Sequence, residues 1–171
     1  YHKFKFSGDF YMQLAKNLVA RSYGEFGFLG SYSKDYGLPP FERFYLGGDG
    51  LQNFVLDGRE IVGLRGYTNF SLTPPGGGAL YTKFTSELRY LISPSPTAQI
   101  FALAFLEAGN NYGNFGDYRP FELKRSAGVG LRIFMPMFGL LGVDLGHGFD
   151  PMPGKVVPSG WQTHFVLGQQ F

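Results

Sequence analysis

The chain has 171 residues, enough for one ordinary domain, and is rich in aromatics (18%, with 19 Phe and 11 Tyr) and glycine (26 residues). Charged residues make up only 16%, against about 25% in an average soluble domain. The small net charge of +2, with its basic residues scattered, argues against a nucleic-acid platform, and the absence of cysteine excludes disulfides and thiolate metal sites.

No run approaches the roughly 18 continuous apolar residues of a spanning helix. The longest, around Ile133 to Val143, is broken by Pro136, Gly139 and Gly142. A mean hydropathy of −0.08 is compatible with membrane strands, which show lipid only every second residue. No signal peptide is visible, and the chain opens directly in strand-like sequence, so it reads as a fragment of a longer protein.

In chain order, residues 1–15 alternate, with Phe4, Phe6 and Phe10 set among polar residues. Residues 18–33 form a second strand. An irregular Gly- and Pro-rich loop then occupies residues 34–79. Strands are expected again at 80–92, 99–110, 122–135, 138–149 and 160–171. Short turns at Ser93–Pro96 and Pro136-Met137 alternate with longer loops at 111–121 and 150–159, as in barrels with short periplasmic turns and long outer loops.

The period of two assigns faces. Leu88, Tyr90 and Ile92 share one side of their strand, read as lipid-facing, with Glu87 and Arg89 on the lumen side. In the last strand Trp161, Thr163, Phe165, Leu167 and Phe171 lie together, opposite Gln162, His164, Gly168 and Gln170. A soluble sandwich gives the mirror image of this pattern, so alternation alone does not separate the two.

Three histidines, His2, His147 and His164, stand far apart, with no HExxH motif and no Gly-x-Ser-x-Gly elbow. His147 is near Asp144 in sequence, but three residues along a strand place them on opposite faces. The histidines read as surface or lumen residues, and no enzyme chemistry is expected.

The loop carries the informative motifs. Residues 39–50 read Pro-Pro-Phe-Glu-Arg-Phe-Tyr-Leu-Gly-Gly-Asp-Gly, and 61–67 read Ile-Val-Gly-Leu-Arg-Gly-Tyr. Arg43-Phe44-Tyr45-Leu46-Gly47-Gly48 followed by Leu64-Arg65-Gly66-Tyr67 resembles the BamA family of outer-membrane β-barrel assembly factors. Glu87–Tyr90, Phe105–Gly109, Lys124–Arg132 and Phe165–Phe171 match further segments in order. The Gly-Gly-Asp-Gly stretch and the Gly-Gln-Gln-Phe ending look similar to Bacteroidetes-type members.

The resemblance implies an all-β fold, an antiparallel transmembrane β-barrel. Residues 1–171 would be its C-terminal part, about seven strands of the family's sixteen, with the periplasmic POTRA region and first barrel strands outside the chain. It implies that loop 34–79 folds into the lumen, where the tetrad Arg65 meets wall acids. The matching acids are Glu87 and Glu107, the latter in place of the commoner Asp. A planar guanidinium suits that task because it bonds two carboxylates in fixed geometry. Phe165, Leu167, Gly168 and Phe171 would form the outer-membrane C-terminal signal, on a strand that is also the weakly paired seam.

The function implied is folding and insertion of nascent outer-membrane proteins, by an integral protein of the bacterial outer membrane. Its partners would be those nascent chains, the lipid bilayer and accessory assembly lipoproteins, with no cofactor and no nucleic acid. One alternative is a related member that secretes or translocates polypeptides through the barrel; another is an outer-membrane porin or enzyme.

Overall fold

The computed structural model describes residues 1–32, 37–50 and 59–168. Seven long strands form one antiparallel sheet: β1 (His2–Ala15), β2 (Leu18–Gly30), β5 (Leu80–Pro94), β6 (Gln99–Tyr112), β7 (Lys124–Met135), β8 (Gly139–Pro151) and β9 (Pro158–Gly168). Each pairs only with its neighbours in chain order. They run from 11 to 15 residues, long enough to cross a hydrocarbon layer when tilted. No described helix is long and apolar enough to cross a membrane, which says nothing about strands.

The antiparallel all-β architecture expected from the alternation is the one observed. Short connections at 16–17, 95–98 and 136–138 sit at one end of the sheet. The long ones, 31–79, 113–123 and 152–157, sit at the other. Strand ends differ from expectation by up to three residues: β2 stops at Gly30, and β5 runs on through Pro94, with a register shift between Leu91 and Ser93. A proline is tolerated there because it closes the strand.

The segment expected to be irregular is partly ordered as sheet. Within it β3 (Phe44–Leu46) and β4 (Glu60–Val62) pair in parallel, Phe44 with Glu60 and Leu46 with Val62. The Phe44 backbone also bonds Gly78 in both directions, and Gly48 bridges Leu64. Three-residue strands carry too little alternation to be read from sequence.

The two faces of the large sheet differ sharply. On one, which we call outer, Phe6, Leu106, Val129, Trp161 and Phe165 stand more than half exposed. That is a continuous apolar surface of the kind a soluble monomer does not show. The loop lies over the other, inner face. The hydrophobic core is the seam between loop and sheet, with Phe44, Leu46, Val62, Leu64, Tyr67 and Leu72 packed against Leu29, Tyr81 and Met152. Burial is therefore greatest where the loop meets the wall.

Candidate functional site

Position by position, alternation aims one column of side chains at the loop. β5 sends in Glu87 and Arg89, β6 Phe105 and Glu107, β7 Ser126 and Arg132, β8 Asp144, and β9 His164. The loop delivers Leu64-Arg65-Gly66-Tyr67 onto this surface, and Leu64 and Tyr67 are fully buried.

Arg65 is the hub. Its Nη2 donates to Glu87 Oε1 and to Glu107 Oε1, both at 2.7 Å. Its Nε donates to Glu107 Oε1 at 3.0 Å, and its Nη1 to Asp144 Oδ2 at 3.2 Å. The Arg65 backbone N–H donates to the other Glu107 oxygen at 2.7 Å. The guanidinium also lies 3.8 Å from the centre of the Phe105 ring, a cation–π contact that needs no water. Burial opposes the charge on Arg65, but Glu107, Glu87 and Asp144 outweigh it and raise the guanidinium above its ordinary value.

Three carboxylates so close together repel unless matched. Here Arg65 is joined by Arg132, which donates to both Asp144 oxygens at 2.6 Å, and by Arg89, which grips Glu87 at 2.6 and 2.8 Å. Arg21 of β2 approaches Glu87 at 3.6 Å and bonds Asp9 of β1 through Nε and Nη2. The charged network thus runs from β1 to β8 through the loop. A polar cavity of about 400 Å³ opens beside it, lined in part by Arg21, Lys83, Arg89 and Asp49.

The rest of the tetrad is held as closely. Gly66 has φ +85°, and a Cβ there would lie 2.8 Å from Ser126 Cβ, so this position needs glycine on both conformational and steric grounds. Its N–H donates to His164 Nε2 at 2.9 Å. The wall is cut to match: a Cβ on Gly146 would stand 2.8 Å from the Gly66 nitrogen, and one on Gly148 would overlap its carbonyl oxygen. The Tyr67 hydroxyl donates to the Arg125 carbonyl at 2.7 Å, and burial pushes it up to about 12. Upstream, Gly47 and Gly48 both have positive φ; Gly47 N–H bonds the Val62 carbonyl and Gly48 N–H that of Leu64.

A second attachment lies at the end of the sheet. Lys3 of β1 bonds Glu42 at 3.1 Å and Glu60 at 2.7 Å, Lys5 also pairs with Glu60, and the Tyr1 hydroxyl donates to Glu42. Burial pushes the Glu60 carboxyl up, but Lys3 and Lys5 outweigh it and hold it below the usual carboxylate range. Lys3, and after it the Tyr1 hydroxyl, lowers Glu42 in the same way.

The structure brings Leu64, Arg65, Gly66, Tyr67, Glu87 and Glu107 together, with Gly47 and Gly48 shaping the strand behind them. Phe165 and Leu167 are elsewhere, exposed on the outer face of β9, and Gly168 ends that strand. Phe171 lies outside the described residues. Sequence reading missed Asp144, Arg132 and His164 as members of the hub, and Gly146 and Gly148 as its floor. A signal for Asp144 was present: as the one acid alternating with Val143 and Leu145, it had to face inward.

Apolar outward and polar inward, with the inner face filled by its own loop, this sheet is the wall of an outer-membrane type of β-barrel. The chain belongs to the Omp85 superfamily, whose domain matches residues 1–171. Proteins of this superfamily are outer-membrane β-barrels that assemble or translocate other polypeptides and are not enzymes. Comparison with curated proteins gives no match.

Proposed function

We propose that the chain is part of an assembly factor that folds nascent β-barrel proteins and inserts them into the outer membrane. The observation that carries this reading is the docked loop. Arg65 and its carboxylates hold loop backbone across the inner face of β5 to β9, where a conduit would need open space. Work is then left to the wall and its seam. In the resemblance to assembly factors β9 is a seam strand, and a strand with free backbone groups templates an incoming one by β-augmentation. Phe165, Leu167, Gly168 and Phe171 belong to that strand in this reading. The partners proposed are nascent outer-membrane proteins, bilayer lipid and accessory lipoproteins.

A second reading, export of a polypeptide through the lumen, is favoured by the polar cavity beside the hub. Depletion of the full-length protein in its own cells separates the two. Loss of many unrelated barrel proteins from the outer membrane is the expected result. Normal insertion of those barrels with loss of one exported protein would overturn the assembly reading.

A further inference from the structure

Among the described residues, the loop tip is hydrogen-bonded to β9 through one imidazole. His164 is 4% exposed, and its Nε2 faces the Gly66 N–H at 2.9 Å. The Gly66 backbone nitrogen can only donate, so Nε2 must accept, and the ring's proton must sit on Nδ1. An imidazolium has no acceptor to offer. Its Nε2–H would point at the Gly66 N–H, a repulsive arrangement.

The surroundings supply the alternative state. Asp144 is the direct cross-strand neighbour of His164 in the β8–β9 pair. Glu107 of β6, Asp49 and Arg65 of the loop and Arg132 of β7 line the same cavity as the ring. A charged ring would be drawn to Asp144, its cross-strand neighbour, and repelled by the Arg65 guanidinium. Histidine is the side chain whose ordinary titration falls near neutral pH, whereas Asp144 and Glu107 are each bound by arginine.

From this geometry we infer that His164 is a positioning residue, a proton-sensitive latch: neutral it holds the loop tip against β9, and protonated it lets the tip go. The inference gives a regulation to the docked loop on which the proposed function rests. It links acidification of the barrel interior to separation of the loop from β9.

The test uses the full-length protein in vesicles of outer-membrane lipid, in a cysteine-free background. A cysteine at buried Val62 (Val62→Cys) reads loop release by its reaction with an impermeant maleimide. Exposed Thr68→Cys is the reference that cancels the pH dependence of the thiol itself. With His164 intact, the normalised rate is expected to rise about tenfold between about pH 7.5 and about pH 5.5. His164→Gln reaches a similar position with a carbonyl oxygen that accepts at every pH, so its rate should change less than about twofold. His164→Phe, which leaves Gly66 without an acceptor, should label fast at both pH values. A flat profile with His164 intact, or an equal rise in His164→Gln, overturns the latch. Labelling follows loop position alone, so its outcome is separate from that of the depletion experiment.

Discussion

Two of the loop's attachments to the wall are built on ion pairs. At the hub Arg65 meets Glu87, Glu107 and Asp144, whose side chains are 5% exposed or less. At the β1 clamp Lys3 and Lys5 meet Glu42 and Glu60, with side chains between 18% and 46% exposed. The chemistry is the same and the solvent differs. An exposed pair exchanges water for a partner at little net gain and is screened by salt. A buried cluster is different: its desolvation has already been offset by mutual bonding, and removal of one member leaves bare charges with no water to hold them. The hub should therefore decide whether the loop is docked, and the clamp should only trim its outer arm.

The strongest test of that contrast is Arg65→Ala, which strands buried carboxylates and should weaken loop docking by ~3–5 kcal/mol. Arg65→Lys should do nearly as much harm, because an ammonium cannot span Glu87, Glu107 and Asp144 at once. Both are read by thiol labelling of buried loop positions; unchanged labelling in either variant would remove the hub from its central role.

Next in size is the steric fit of the tip. Gly148→Ala places a methyl group where the Gly66 carbonyl lies and should cost about 1–3 kcal/mol, seen as a shorter half-life of the loop under limited proteolysis. Gly8, whose added Cβ meets nothing within 4 Å, is the control: Gly8→Ala should leave that half-life alone. Tyr67→Phe removes the bond to the Arg125 carbonyl and should cost about 1 kcal/mol.

The smallest effects belong to the clamp. Lys3→Ala should cost about 0.2–1 kcal/mol, and raised salt should erase the difference from the parent, while hub variants keep theirs. Acid should loosen the clamp too. The folded-state carboxyls of Glu42 and Glu60 lie below their ordinary value. Their contribution is therefore complete at neutral pH and is lost as pH falls through those lowered values, below the usual carboxylate range. A clamp that survives both high salt and such acid would show that it is not electrostatic.

Much of this was legible beforehand because strand geometry is periodic. Alternation placed Glu87 and Arg89 on one face, Leu88 and Tyr90 on the other, and His147 opposite Asp144; the structure has the same faces. The motif around Arg65 singled out the loop and the two glutamates. Asp144, Arg132 and His164 escaped because a face assignment says which way a residue points, not what stands opposite it. Gly146 and Gly148 escaped for a related reason: an inward glycine in a strand is ordinarily a weak position, and here it is the space that Gly66 occupies.

By itself, then, the sequence determined the seven long strands, which residues share a face of each and the residue types at the loop tip, since these follow from local chemistry repeated every second residue. Only the tertiary structure decided that Asp144 joins the acids Arg65 meets, that the segment behind it forms a parallel strand pair, and that a histidine on the far strand holds Gly66. Those partners are separated by 22 to 98 positions along the chain. Their meeting is set by the register of several strands at once, which no local pattern records.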